Sequence, residues 1–231
     1  MSSSYEIQGQ TVTLPVAVRD ASSGTVMYMV DHQAASKIIP PEFEADEVAP
    51  GKTQLCLVMV DYRDNDLGDY DEVGVVFFVR PKGKPEAEIG SYIHHLPVNQ
   101  SFTQEAGFQI WGFPKTVEEI DFSISEGSAT CALRMGGEPV FTLTLPRGGD
   151  AETPETPAVG YTLIKGSPHR IAFSRGGKKE STRPGGEGVS LELGSHPIAD
   201  ELRSLGLPDL PPLLSSWTEH FFGTFGEVEK L

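Results

Sequence analysis

Apolar and polar residues alternate through most of this chain, and alternation with a period of two predicts β-strands. Where the apolar run is nearly continuous, as in residues 53–61 and 72–80, we expect central strands that are buried on both faces. The predicted strands are residues 11–19, 25–30, 53–61, 72–80, 90–98, 117–124, 129–135, 140–145, 161–165, 169–173, 189–193 and 213–225. The pattern therefore indicates a fold made mainly of strands.

Helical patterns are confined to three short stretches, residues 32–39, 99–110 and 200–205. Two segments that are rich in Pro, Gly and charge are predicted to be flexible loops, residues 147–157 and 175–188. The chain has no repeated strand–helix unit. It therefore favours a mainly β fold, an antiparallel barrel or sandwich with a few short peripheral helices, in a single domain over residues 1–231.

Composition and charge argue against several kinds of partner. The formal net charge is −15, so neither nucleic acid nor an anionic membrane surface is an expected partner, because phosphate contacts need clustered Lys and Arg. No apolar run approaches the ~18 residues of a membrane span, and the first residues contain neither a basic nor an apolar signal region. We expect a cytoplasmic protein in which Cys56 and Cys131 are buried thiols rather than a disulfide.

A single lysine follows the apolar segment Trp111–Pro114. Packed against Trp111 and Phe113, the ammonium group of Lys115 would lose solvation, and desolvation lowers the pKa of a lysine. Because only the neutral amine attacks a carbonyl, the segment predicts Schiff-base formation with a ketone or a keto acid. The alternative is a turn lysine whose stem lies over aromatic rings while its charge stays in water.

Other polar residues are further candidates for chemistry. Glu72 lies at the mouth of a predicted buried strand among several acids, which suits it to proton transfer, although a solvated acidic loop would have the same composition. His94 and His95 are neighbours on a predicted strand, so their side chains should point to opposite faces and should not share a metal ion. The sequence lacks the H-E-x-x-H and C-x-x-C spacings, and we predict no metal site.

The order of several segments resembles that of the acetoacetate decarboxylase family. The similar segments are Val26-Met27-Tyr28, Ile38-Ile39-Pro40, Tyr70-Asp71-Glu72-Val73-Gly74, Tyr92-Ile93-His94, Gly107 to Lys115 and Tyr161 to Arg170. The similarity extends over about residues 12–225. It implies a cone-like β-barrel that encloses the active site, a homo-oligomeric assembly, and chemistry that needs no cofactor.

The resemblance also implies roles for particular residues. Lys115 would form a Schiff base with the ketone of a β-keto acid, and Glu72 would orient the substrate or move protons. The residues predicted to bind the substrate are Arg19, Trp111, Phe113 and His94.

Three positions depart from the family pattern. Thr116 stands where the best-known members have a second lysine, and Leu57 stands near the position of a second glutamate. The arginine that binds the substrate carboxylate aligns near Ala21, and Arg19 is the closest candidate. These departures leave Schiff-base formation in place and bear on which substrate is used.

Three functions are compatible with this sequence. The leading hypothesis is a Schiff-base-forming lyase that decarboxylates a small β-keto acid. The second keeps Lys115 but lets an enamine from pyruvate or another 2-keto acid attack an aldehyde, giving an aldolase–dehydratase or a hydratase. The third is a non-catalytic protein that binds a small acid, in which Lys115 pairs with the carboxylate of the ligand.

Overall fold

The strands of this chain close into a barrel, and a second sheet packs on its outside. The computed structural model describes residues 3–231. Its strands are β1 (Ser4–Ile7), β2 (Gln10–Thr13), β3 (Val16–Asp31), β4 (Phe43–Ala45), β5 (Lys52–Asn65), β6 (Tyr70–Pro81), β7 (Gly90–Val98), β8 (Lys115–Val117), β9 (Glu119–Ile124), β10 (Ser128–Met135), β11 (Glu138–Pro146), β12 (Ala151–Ile164), β13 (Ser167–Pro184), β14 (Ser190–Leu193) and β15 (Leu214–Lys230). Its helices are α1 (His32–Ala35), α2 (Ser101–Ala106) and α3 (Pro197–Ser204), and a π-helical turn, Gly107–Trp111, follows α2 directly.

Within the described residues, seven strands form a closed barrel in the order β6, β5, β3, β15, β13, β12 and β7, and β7 returns to pair with β6. The predicted barrel is therefore confirmed. The expectation that it is antiparallel throughout is wrong at β7, which runs parallel to both β12 and β8. Parallel neighbours need a long connection, and the segment from α2 through β11 supplies one between β7 and β12.

Strands β5 and β6 are buried on both faces, which accounts for their nearly continuous apolar sequence. Leu57 and Met59 belong to the same apolar cluster as Leu143 in the outer sheet, whose strand order is β14, β11, β10 and β9. Val58 and Val60 instead line the interior of the barrel. One face of each strand thus holds the two sheets together, and the other face shapes the cavity.

Most of the two segments predicted as flexible loops is strand. Residues 151–157 and 175–184 are the outer parts of β12 and β13, in which Ala151 pairs with Glu180 and Thr153 with Gly177. Many of their side chains are exposed, so the hydrophobic pattern does not predict these parts of the two strands. Backbone hydrogen bonds pair these strands, and such bonds do not depend on apolar side chains.

The three predicted helices are present; α1 and α2 are shorter than expected, and α3 begins three residues earlier than expected. His196 caps the N-terminus of α3, where its ring accepts a hydrogen bond from the backbone nitrogen of Ile198. Cys56 and Cys131 are both free and buried, as predicted. In the part of the chain described here, no helix combines the length and the apolar character needed to cross a membrane.

Candidate active site

Lys115 is the first residue of the short strand β8, immediately after a tight turn. Gly112 ends the π-helical turn in the left-handed conformation, with a φ of 67°. Strand β8 then pairs with β7, which places Lys115 opposite Leu96. A Cβ atom on Gly107 would lie 2.7 Å from Cδ of Lys115, closer than such contacts occur. Glycine at this position therefore leaves the space through which the lysine stem runs into the interior.

The amine of Lys115 is almost completely enclosed, with 4% of its side chain exposed. Its Nζ lies 2.9 Å from Oε2 of Glu72 and donates a hydrogen bond to Oγ1 of Thr103 at 2.8 Å. The centre of the Tyr70 ring lies 4.8 Å from the same nitrogen. A carboxylate, a hydroxyl group and an aromatic face therefore surround the amine of Lys115.

The pKa of Lys115 is shifted in the direction opposite to the sequence-based expectation. Burial lowers it, but the charge of Glu72, the nearby Tyr70 phenol and the hydrogen bonds that the ammonium donates to these two groups raise it, and the net shift is upward. The prediction of a lowered pKa considered apolar neighbours alone and was wrong, because it left out the carboxylate. In the resting structure Lys115 is an ammonium ion, and its neutral form requires the transfer of a proton to a nearby base.

Glu72 is held in place from its other side by a tyrosine. The hydroxyl group of Tyr62 donates to Oε1 of Glu72 at 3.3 Å, and the rings of Tyr62 and Tyr70 stack with their centres 4.5 Å apart. Burial and the neighbouring Glu72 raise the pKa of Tyr62 well above its usual value. The phenol therefore keeps its proton and remains a hydrogen-bond donor to the carboxylate.

Two cavities meet at this cluster. The interior of the barrel encloses about 440 Å³, and a smaller pocket of about 60 Å³ contains Lys115. The residues that line both are Tyr62, Glu72, Ile93, Leu96, Phe113 and Phe225. The volume of the larger cavity is in the range of small-molecule sites, and Lys115 is separated from it by side chains such as those of Glu72 and Phe113.

The predicted aromatic residues lie where the sequence analysis placed them, beside Lys115. Trp111 and Phe113 line its pocket, and their rings stack with centres 5.7 Å apart. The indole nitrogen of Trp111 donates to the carbonyl oxygen of Gly226 at 2.9 Å, which ties the turn to β15. Trp111 fixes the turn, and Phe113 forms part of the wall between the two cavities.

Arg19 is in the wrong place for its predicted role. Its guanidinium group lies on the surface and forms ion pairs with Asp64 at 2.7 Å and with Asp66 at 2.6 Å. On a regular strand Arg19 and Ala21 would share one face, but the pairing of β3 with β5 shifts register on both sides of Asp20. These irregularities break the alternation, so Ala21 is buried while Arg19 faces solvent.

His94 also lies outside both cavities. Its Nε2 lies 3.0 Å from Oε1 of Glu201 in α3, and the same oxygen lies 3.1 Å from Nε2 of His95. The two histidines therefore point to the same side, contrary to the prediction for neighbours on a regular strand. The predicted substrate contact of His94 is wrong, because its ring points to Glu201 and lies outside both cavities.

Three residues of the site were missed in the sequence. Thr103 and Tyr62 contact Lys115 and Glu72, as described above. Arg175 lines the larger cavity, and its guanidinium group forms no ion pair or side-chain hydrogen bond with any residue from 3 to 231. Its position inside a basic, glycine-rich segment gave no sign of this, because that segment was taken for a loop.

Comparison with known proteins places this geometry in one family. The model of the family described as acetoacetate decarboxylase (ADC) matches residues 5–221. A curated acetoacetate decarboxylase from Acidiphilium cryptum (strain JF-5) is 38% identical over 91 residues, which is 39% of this chain and 34% of the relative. The aligned part thus spans about a third of that relative's length.

Solved structures share the fold at low identity. Acetoacetate decarboxylase from Legionella pneumophila subsp. pneumophila str. Philadelphia 1 has a TM-score of 0.67 and 20% identity, with 94% of this chain and 87% of that chain covered. The enduracididine biosynthesis enzyme MppR, complexed with pyruvate, has a TM-score of 0.64 and 16% identity, with 94% and 90% covered. An acetoacetate decarboxylase-like enzyme from Sphingomonas wittichii RW1 has a TM-score of 0.61 and 18% identity, with 96% of both chains covered.

Proposed function

The chain belongs to the acetoacetate decarboxylase family, and on that premise we propose that it decarboxylates a small β-keto acid through a Schiff base on Lys115. The observation that carries the proposal is the enclosed contact between Nζ of Lys115 and Oε2 of Glu72, 2.9 Å long, beside a cavity of about 440 Å³. A buried amine next to a carboxylate that can take its proton is the arrangement that a Schiff-base lysine needs.

The first step is proton transfer. Glu72 accepts the proton of the Lys115 ammonium when the substrate displaces water from the site, and the neutral amine attacks the ketone carbon. Glu72 returns the proton to the hydroxyl group of the resulting carbinolamine, which leaves as water and gives an iminium ion. Tyr62 donates to the other carboxylate oxygen, so Glu72 keeps its orientation while the proton moves.

The second step breaks the bond between the carboxylate carbon and the α-carbon. The electron pair of that bond moves into the iminium ion, CO₂ leaves, and an enamine remains on Lys115. The α-carbon then takes a proton, and water hydrolyses the iminium ion to release the ketone and restore the free amine. The apolar walls of the cavity favour loss of CO₂, because a carboxylate is less stable than neutral CO₂ where little water is present.

Arg175 is our candidate for the residue that attracts the substrate carboxylate, in place of Arg19. It lines the larger cavity, whereas the ion pairs with Asp64 and Asp66 occupy Arg19. A guanidinium group suits a carboxylate in both charge and geometry. Arg175 would raise the local concentration of acidic substrates in a protein whose net charge of −15 would otherwise repel them.

A second candidate function is an aldolase–dehydratase or hydratase that uses the same lysine. Two observations favour it. Leu57 points out of the barrel into the apolar core, so that position offers no second carboxylate, and Thr116 follows the lysine where a cation could stand. The structure of MppR, an enzyme with a similar fold, has been solved in complex with the condensation product of pyruvate and imidazole 4-carboxaldehyde.

Borohydride trapping tests the proposal. The protein is incubated with acetoacetate or with pyruvate, reduced, and digested for peptide mass mapping, and CO₂ release is measured in parallel. We expect a reduced adduct on Lys115, absent in Lys115→Ala and retained in Lys37→Ala, in which a surface lysine is removed. An adduct with pyruvate but no CO₂ from acetoacetate would favour the second candidate. Failure of both substrates to modify the folded protein would contradict both functions and favour a non-catalytic binding protein.

A further inference from the structure

An irregularity in β7 brings two adjacent histidines to the same side of the strand. In the pairing of β6 with β7, Val75 lies opposite His95 and Val76 lies opposite Ile93, so His94 has no opposite residue. This is a β-bulge, which inserts one extra residue into a strand and redirects the side chains around it. As a result, the rings of His94 and His95 lie with their centres 4.1 Å apart.

A carboxylate from another element reaches the same point. Glu201 belongs to α3, and its Oε1 lies 3.0 Å from Nε2 of His94 and 3.1 Å from Nε2 of His95. The donor atoms of the three residues all lie within 4.8 Å of one another. Two imidazole nitrogens and one carboxylate oxygen, from two elements that are distant in sequence, thus converge on one small volume.

We propose that His94, His95 and Glu201 form a binding site for a divalent transition-metal ion, with zinc as the preferred ion. Zinc binds histidine nitrogen and glutamate oxygen at about 2.0–2.2 Å, which in tetrahedral geometry separates the ligand atoms by about 3.4 Å. The glutamate oxygen now lies 3.0 and 3.1 Å from the two histidine nitrogens, and small side-chain rotations would lengthen these distances to about 3.4 Å. Magnesium and calcium prefer oxygen ligands alone, so two imidazoles select against them.

The cluster is accessible to a metal ion from solvent. The exposed fractions of the side chains are 18% for His94, 27% for His95 and 28% for Glu201. An ion could therefore enter without unfolding of the chain, and water could complete its coordination. Because Glu201 is in α3 and the histidines are in β7, the ion would join the helix to the wall of the barrel.

The position of the site also relates it to the cavity. The neighbouring residues Ile93 and Leu96 of β7 line both cavities, and Leu96 lies opposite Lys115 in the sheet. The proposed ion would thus hold the outer side of the strand whose inner side forms the cavity wall. The site is independent of the reaction on Lys115, and it would exist whether or not the protein is a decarboxylase.

The test is metal binding to the untagged, metal-free protein. Zinc is titrated calorimetrically, Co²⁺ is added to follow its visible absorption, and thermal unfolding is recorded with and without zinc. We expect one zinc ion per chain and a Co²⁺ spectrum typical of four-coordinate geometry. At a zinc concentration a hundredfold above Kd, the melting temperature should rise by about 5–10 °C.

Matched variants locate the ion. His94→Ala, His95→Ala and Glu201→Gln should each lower zinc affinity at least tenfold. Loss of a residue that only hydrogen-bonds to a metal ligand already lowers metal affinity about 10–100-fold, and loss of a ligand should lower it at least as much. His220→Ala is the control, because His220 pairs with Asp20 at 2.9 Å but has no second histidine at that contact. The proposal is overturned if the folded wild-type protein binds no zinc or Co²⁺. It is also overturned if the three variants bind zinc as tightly as His220→Ala does, which would leave a hydrogen-bonded cluster without a metal function.

Discussion

Lys115 and Arg19 are both cations that the sequence analysis assigned to the site, and both form short ion pairs. Nζ of Lys115 lies 2.9 Å from Glu72, and the guanidinium nitrogens of Arg19 lie 2.7 and 2.6 Å from Asp64 and Asp66. Distance does not distinguish them. Exposure does, since 4% of the Lys115 side chain is exposed against 48% for Arg19.

The difference shows why charge and sequence position alone do not identify a reactive group. Water screens the surface pairs of Arg19, and such pairs contribute little to stability. The pair of Lys115 with Glu72 is shielded from water, and there the charge of Glu72 helps to raise the pKa of Lys115.

Glu72→Gln should have the largest effect, because it leaves the buried ammonium of Lys115 without its counter-ion. Breaking a buried ion pair costs about 3–5 kcal/mol, and urea unfolding should show a loss at the lower end of this range, since glutamine can still accept a hydrogen bond. With the carboxylate gone, burial dominates and the pKa of Lys115 should fall. The pH dependence of lysine acylation, measured with acetic anhydride and mass mapping, should shift to lower pH.

Asp64→Asn is the matched control for Glu72→Gln. It removes one carboxylate from an ion pair of similar length, but in an exposed position. We expect a much smaller loss of stability and no change in the pH dependence of Lys115 acylation. A shift to higher pH in Glu72→Gln, or equal losses of stability in the two variants, would contradict the view that burial separates the two pairs.

Thr103→Val should have the next largest effect. The hydroxyl of Thr103 accepts a hydrogen bond from Lys115 at 2.8 Å, and hydrogen bonds to charged groups contribute about 1.5–3 kcal/mol. The variant should lose stability by about this amount and should form the borohydride-trapped adduct more slowly, because the amine is no longer held in place. Thr103→Ser keeps the hydroxyl and should restore the rate. Recovery of stability without recovery of the rate would indicate a purely structural role.

The residues found from the sequence are those marked by local chemistry. Lys115, Trp111 and Phe113 lie in one short segment, and Glu72 lies at the mouth of an apolar strand. Thr103 is 12 residues from Lys115 and meets it only because the π-helical turn folds β8 back on α2. The hydrophobic pattern does not indicate that these two residues meet. Nothing in the sequence sets Thr103 apart from any other threonine in a short helix.

The errors have a common physical origin in the register of the strands. The barrel and its short helices follow from alternation over many residues, so one irregular pair does not change that prediction. The direction of a single side chain, however, is reversed by a single bulge. This happened near Asp20, where Arg19 turned outward, and at His94, which joined His95 on one side of β7. Alternation therefore predicts the fold of this chain better than it predicts the direction of individual side chains.

Arg175→Met should affect substrate binding and little else. If Arg175 attracts the substrate carboxylate, loss of its charge should raise KM about tenfold, which corresponds to about 1.4 kcal/mol, with kcat and the melting temperature nearly unchanged. Arg170→Met is the control on the same strand, because Arg170 faces Glu88 and Glu229 at 3.6 and 3.9 Å. Its KM should stay at the wild-type value. Equal effects in both variants would indicate long-range charge and not a contact at Arg175.

Arg19→Met should have the smallest effect, and it completes the contrast with Lys115. Its guanidinium group faces solvent between Asp64 and Asp66, so KM, kcat and adduct yield should stay within about twofold of the wild-type values. The wild-type protein and the variant should also become indistinguishable in stability at high salt, because salt screens exposed charges. A large rise in KM would mean that Arg19 leaves its two aspartates to reach the substrate. In that case the surface position described here would be a resting state, and exposure would no longer separate the two cations.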